Sequence, residues 1–294
     1  MNAMHTLYQI FLSEQTKKKI EKTTLYVALT GFSIHLILIY LSKFSIIHFL
    51  SDAALFKNPI SAIYTPFSFI LIYEVYLLIY YLQRSFTTYI TKQYEIITLI
   101  IIRKLFKDLS VIELSSNWFE IKNDLQFTYD ILASIILFYL IYQFQKQGKR
   151  RATPEENNPK IERFIRQKKM IALVMVPVFF TMASITLVNW LSEFSFDSNG
   201  LNSFETVNNL FFDEFFTVLI LVDVILLLIS FFYTDKFHKI IRNSGFVVST
   251  ILLRMYFGAT GLTSTVLIVG ATLFGLTIIL IHNKYEMSDS YEKK

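Results

Sequence analysis

The sequence predicts an all-α membrane protein of about eight transmembrane helices, arranged as two parallel four-helix repeats. Three observations carry that expectation: an apolar composition, a lopsided distribution of Lys and Arg between the apolar stretches, and a self-similarity recurring near an offset of 150 residues. Of 294 residues, 53% are hydrophobic and 17% charged, with 16% aromatic. A soluble domain carries about 25% charged residues, so this balance excludes the ordinary soluble classes. Phe and Tyr suit a lipid-facing surface and its headgroup boundary, although an AT-rich coding sequence would raise Phe, Ile, Lys and Asn in the same way.

Crossing the hydrocarbon core takes about 20 mainly apolar residues. Eight stretches qualify: 25–42, 64–83, 87–106, 126–145, 170–191, 210–233, 240–257 and 260–282. The third and seventh are the least apolar. Residues 87–106 hold Lys92, Glu95, Arg103 and Lys104, and 240–257 has only FVVSTILL before Arg254, so each could instead be an interfacial or broken helix.

Basic residues gather in cytoplasmic loops, which gives a test independent of hydropathy. With the N-terminus inside, 21 of the 28 Lys and Arg fall on the cytoplasmic side, nine of them between Lys146 and Lys169. The loop 192–209 has Glu193, Asp197 and Glu205 but no basic residue. Both termini are therefore expected in the cytoplasm. Residues 1–24 place one short apolar stretch before Lys17, Lys18 and Lys19, the reverse of a signal peptide, and a bacterial inner membrane is the expected location. A net charge of +5 is explained by these flanking residues and anionic lipid, with no nucleic-acid partner implied.

The expected organisation is a cytoplasmic N-terminal segment 1–24, a first four-helix repeat 25–146, a basic linker 147–168, a second repeat 169–283 and a cytoplasmic tail 284–294. The linker contains Pro154 and Pro159, and its end (Arg163, Arg166, Lys168, Lys169) suits a short helix on the membrane surface. Three matches suggest the duplication: YLSKFS (40–45) with WLSEFS (190–195), ILIYEV (70–75) with LILVDV (219–224), and IITLIIIR (96–103) with VVSTILLR (247–254). Four spans is an even number, so the halves would share an orientation, as in parallel-repeat transporters.

The matches set Glu74 opposite Asp223 and Arg103 opposite Arg254. Ionisable groups within hydrocarbon cost a few kcal/mol and tend to mark pathways or relays, so Glu74 and Asp223 are the leading candidates for an ion or proton pathway. A hairpin about Ser85 would put Glu95 level with Glu74, where two carboxylates could share a cation or proton; Ser249 and Thr250 would lie level with Asp223. Arg103, Arg254 and Asp130 are candidate intramembrane charge partners, with an Arg103–Asp130 pair at suitable depth. The plainer readings are that these acids are packing glue, that the arginines snorkel to the interface, and that His35 is a hydrogen-bonded core residue. Ala271 and Gly275 form a small-xxx-small face suited to a homo-oligomer contact, and GATG at 258–261 is a natural break.

There is no Cys, no HExxH box, no GxSxG elbow and no phosphate-binding loop. Catalysis, a metal and a cofactor are not expected. The expectation is a transporter or channel for a small solute, a cation or proton being favoured, with the lipid bilayer as the remaining partner. The rival is a membrane-embedded structural, sensory or accessory protein docking a partner through the basic loop 146–169.

Overall fold

The structure, a computed structural model, describes residues 2–44, 59–109, 122–149, 159–193, 200–234, 236–259 and 261–291. Among them the chain is all helical: α1 (Asn2–Leu12), α2 (Glu14–Lys43), a 3-10 turn over Pro59–Ile63, α3 (Tyr64–Leu82), α4 (Phe86–Leu109), α5 (Lys122–Lys149), α6 (Pro159–Glu193), α7 (Gly200–Phe231), α8 (Phe237–Phe257) and α9 (Leu262–Tyr291). Six stretches are long and apolar enough to cross a membrane: Thr6–Lys43, Thr65–Leu82, Leu125–Lys149, Ile161–Ile185, Glu214–Phe231 and Leu262–Ser288. Those are the lengths and compositions an integral membrane protein needs. Helices α4 and α8, the two weak stretches of the sequence, run unbroken but fall outside this set.

Local chemistry accounts for the boundaries. Ser13 separates α1 from α2 by accepting the Thr16 amide at 3.1 Å, with Glu14 in the first turn and Lys43 in the last, as capping and the helix dipole favour. The expected hairpin at Ser85 forms: α3 stops at Leu82, and Ser85 Oγ accepts the Thr88 amide at 3.2 Å to start α4. The GATG break also forms, with Gly258 capping α8 and Gly261 at φ 65°, a left-handed conformation natural to glycine. Pro159 opens α6, where its missing N–H is harmless. Pro177 sits inside α6, and the Thr181 hydroxyl bonds its carbonyl at 2.8 Å.

Helix α5 shows how the chain meets its surroundings. Leu132, Ile135, Phe138 and Tyr139 are exposed, while Ala133, Leu137, Leu140 and Phe144 are buried. Both faces are apolar, so sequence alone does not tell them apart, and an exposed apolar face of this size fits lipid rather than water.

The chain forms two compact units, each drawing on both halves of the sequence: Met1–Tyr80, Arg103–Ser116 and Leu173–Phe215 in the first, Tyr81–Ile102, Asn117–Ala172 and Phe216–Lys294 in the second. In the first unit, Leu12 of α1 is buried and Tyr76 donates to the Phe11 carbonyl at 2.9 Å, while Tyr73 donates to Glu21 at 3.1 Å and Tyr80 to Glu14. The N-terminal segment from Asn2 is thus helical on both sides of Ser13 and tied to α3. In the second unit, Tyr94 of α4 meets the Phe144 ring edge-on at 5.1 Å, and Phe144 packs on Phe246 at 5.6 Å.

Two expectations change here. The segment around Lys168 is not a separate surface helix, because α6 runs continuously from Pro159 and Lys168 is buried. Its ammonium donates to the Arg84 carbonyl and lies 4.6 Å from the Phe86 ring centre and 5.6 Å from that of Phe164. A carbonyl and two ring faces replace the water that the sequence argument supplied. The linker between helices is accordingly shorter than 147–168: α5 ends at Lys149 and α6 begins at Pro159, with the residues between outside those described.

The small-residue face of α9 is used inside the chain. Ala271 is fully buried and its carbonyl accepts from Ser249 at 2.7 Å; a Cβ on Gly275 would overlap the Tyr94 hydroxyl. Both small residues are thus packed against α4 and α8 of the same chain. A similar close approach joins α8 to α9, where a Cβ on Gly245 would meet three Ile278 atoms at 2.8, 2.9 and 3.0 Å. Gly245→Ala is therefore expected to destabilise the protein by about 1–3 kcal/mol through overpacking, read as a lower unfolding temperature in detergent. Unchanged stability would mean that the two helices have room to part.

Candidate functional site

Glu74 lies in the first unit, buried on α3. Its carboxylate forms an ion pair with Arg103 of α4, which also donates to the Phe67 carbonyl at 3.2 Å. The sequence set Arg103 level with Asp130 and Glu74 level with Glu95, whereas the ion pair that forms joins Arg103 to Glu74. A helical side chain leans toward the N-terminus of its own helix, and α3 and α4 are joined by a tight turn, so Glu74 and Arg103 lean toward each other. Also in the first unit, His35 Nδ1 lies 2.6 Å from the Thr65 hydroxyl, the bonded state expected of it.

The second unit contains Asp223, Glu95, Asp130 and Arg254. Asp223 on α7 is 1% exposed. Its Oδ2 accepts from Gln93 Nε2 at 3.3 Å, and Gln93 Oε1 accepts from the Thr250 hydroxyl at 2.9 Å. The amide of Gln93 is oriented by its two neighbours, donor toward the carboxylate and acceptor toward the hydroxyl. Thr250, expected level with Asp223, thus reaches it through Gln93. The Tyr89 hydroxyl lies near the same carboxylate but outside hydrogen-bond geometry, and Asp223 Oδ1 finds no hydrogen-bond partner among the described residues. A buried carboxylate oxygen beside a buried, unpartnered phenol can be completed by that hydroxyl with a small shift, or by water, a proton or a cation.

Beside this core, Tyr94 Oη and Ser249 Oγ are 2.7 Å apart. Ser249 gives its single proton to the Ala271 carbonyl, so Tyr94 is the donor between them. Tyr89, Gln93, Tyr94, Ser249 and Thr250 are all buried, forming a polar seam between α4 and α8. Gln93 is the functional candidate that the sequence reading missed. It carries no charge, unlike Lys92 and Glu95 beside it; its signal is the four-residue spacing from Tyr89, which puts both on one helical face.

Glu95 is half-buried on α4, bonded by Lys92 at 2.5 Å and by Gln145 Nε2 at 2.6 Å. Each of the two acids expected to share one cation or proton has a cation of its own, Arg103 for Glu74 and Lys92 for Glu95. Glu95 lines a cavity of about 500 Å³ within the second unit, together with Thr88, Lys92, Lys149, Arg242 and His282. Arg242 Nη1 donates to His282 Nε2 at 3.0 Å, which makes that nitrogen the lone-pair acceptor and the imidazole neutral. Asp130 on α5 is buried and accepts from Gln126 of its own helix at 2.8 Å. Arg254 donates through Nε to the Thr217 hydroxyl at 2.9 Å, anchored to a neighbouring helix.

Compared with protein-family models, with curated proteins and with solved structures, the chain finds no match.

Proposed function

We propose that this chain is a polytopic protein of eight membrane spans in two parallel four-helix halves, and that it conducts or transports a small solute, a cation or proton being favoured. Asp223 is the central residue of the route, and Glu95 stands at its entrance. The observation that carries this reading is the buried Asp223 carboxylate, which has one oxygen held by Gln93 and the other without a hydrogen-bond partner among the described residues. Glu74, answered by Arg103, fits a holding role better than a conducting one. Both termini are placed in the cytoplasm by the Lys and Arg distribution, in a bacterial inner membrane.

The eight-span reading is supported by the burial of α4 and α8. Helices sheltered by protein need not be as apolar as helices facing lipid, and Gln93 and Tyr94 of α4 and Ser249 and Thr250 of α8 are buried against one another. The duplication is supported by paired anchors: Arg103 donates to the Phe67 carbonyl and Arg254 to the Thr217 hydroxyl. Donors and acceptors recur 151 and 150 residues later.

The test is flux through purified protein in liposomes for protons, sodium, potassium and chloride, with Asp223→Asn and Glu74→Gln in parallel. Cation or proton flux in the parent, lost to background in folded Asp223→Asn and retained per folded molecule in the less stable Glu74→Gln, is the expected result. A folded Asp223→Asn with parent flux would remove Asp223 from the route. Silence in all three would favour the accessory reading, for which Arg163, Ile165, Arg166 and Met170 are exposed at the start of α6.

A further inference from the structure

We infer that the cavity enclosed by the ends of α4, α5, α8 and α9 binds a phosphate-bearing anion, and that the bound anion acts on Glu95 by competing for Lys92. The inference rests on the proposed function for the side of the membrane and for the place of Glu95 on the route: all four helix ends are those that the charge distribution assigns to the cytoplasm, where anionic headgroups and soluble phosphate compounds are both found.

Three cationic side chains, Lys92, Lys149 and Arg242, and two carboxylates, Glu95 and Glu286, line the cavity. With His282 neutral, the lining carries a surplus of positive charge. Glu95 is already engaged by Lys92 and Gln145, while Glu286 lies 3.5 Å from His282 Nε2, a lone pair that offers it no proton. Arg242 is held in place by Asn243 Oδ1, at 3.2 Å from Nε and 3.0 Å from Nη2, and by His282. A guanidinium so fixed loses little freedom on meeting an anion. Lys149 is exposed at the end of α5 and can swing to the ligand.

Hydroxyl groups complete the lining. Ser85 and Thr88 share a 2.8 Å hydrogen bond, and Thr91 donates to the Thr87 carbonyl at 2.8 Å, so these oxygens are held at the first turns of α4. That helix start also offers amide groups and the positive end of its dipole. About 500 Å³ is room for a phosphate and a small group attached to it. A zwitterion would also meet charges of both signs here, but Glu95 is already bonded and the lining holds more cations than carboxylates, which favours the anion.

Lys92 Nζ lies 2.5 Å from Glu95 Oε2 and 5.1 Å from the Tyr81 ring centre. A phosphate oxygen drawing Lys92 toward the cavity leaves Glu95 held by Gln145 alone, and so changes the charge presented at the entrance of the route.

The experiment is thermal unfolding of the purified full chain in neutral detergent, titrated with sodium phosphate against sodium chloride at matched ionic strength. A parallel titration adds short-chain phosphatidylglycerol against short-chain phosphatidylcholine. A ligand that binds only the folded state raises the unfolding temperature. We expect phosphate or phosphatidylglycerol to raise it where chloride and phosphatidylcholine do not, and Arg242→Gln/Lys149→Gln to weaken that response at least about tenfold, as loss of charge-assisted hydrogen bonds requires. Stabilisation by the glycerol lipid alone identifies a headgroup, and by inorganic phosphate alone a soluble phosphate compound; either supports the site. No stabilisation by either, an equal effect of chloride, or parent affinity in the double variant overturns it. Should Arg242→Gln fail to fold, Lys149→Glu at an exposed position provides the same comparison. Flux is not read, so a failure here is separable from a failure of the transport reading.

Discussion

Arg103→Gln is expected to lower the stability of the folded protein by about 3–5 kcal/mol, the cost of leaving one member of a buried ion pair without its partner. Glu74 and Arg103 are both largely shielded, so removing the guanidinium strands a carboxylate in low dielectric and also frees the Phe67 carbonyl. Glu74→Gln is expected to destabilise for the mirror-image reason, by stranding the arginine. The double variant Glu74→Gln/Arg103→Gln should be milder than the sum of the two, because neither charge remains. Thermal unfolding of the four proteins in one detergent gives the coupling. Additive losses would mean that the two side chains act independently and that the pairing contributes nothing to stability.

Gly275→Ala is expected to disrupt the centre of the second unit, with a loss of about 1–3 kcal/mol from overpacking. The added methyl would occupy the place of the Tyr94 hydroxyl and would lie 2.9 Å from Tyr94 Cζ and 3.4 Å from Ser249 Oγ. Tyr94 has little room to retreat, since its ring meets Phe144 and its hydroxyl bonds Ser249. Moving it also breaks the hydrogen bond that it donates. Tyr94→Phe removes the clashing oxygen, so Tyr94→Phe/Gly275→Ala should lose less than the two single variants together. If Gly275→Ala alone unfolds at the parent temperature, the close approach of α4 and α9 is not needed.

Much of the helix map was legible because it depends on local signals. Ser85 and the GATG stretch mark turns by their own chemistry, and both turns form where expected. The status of α4 and α8 was harder to read. Hydropathy measures the cost of meeting lipid, whereas the buried faces of these helices meet protein, where a Gln or Ser is tolerated if its hydrogen bonds are made. The site was half legible. Glu74 and Asp223 were visible as charges among apolar residues, but their partners were not. Arg103 reaches Glu74 through the lean of both side chains, which counting residues from a hairpin ignores. Gln93 has no charge to flag it, and Lys168 sits at the end of the basic linker in sequence although Phe86, Phe164 and the Arg84 carbonyl surround it in the fold.

The seam between Tyr94, Ser249 and Ala271 joins residues made far apart in time. While the ribosome is still short of residue 271, Tyr94 and Ser249 lack the backbone that fixes them, and the second unit has no completed centre. Its closure is therefore a late event in synthesis. Until then the Ser249 hydroxyl lacks the Ala271 carbonyl that takes its proton, although Gln93, Asp223 and Thr250 can already meet.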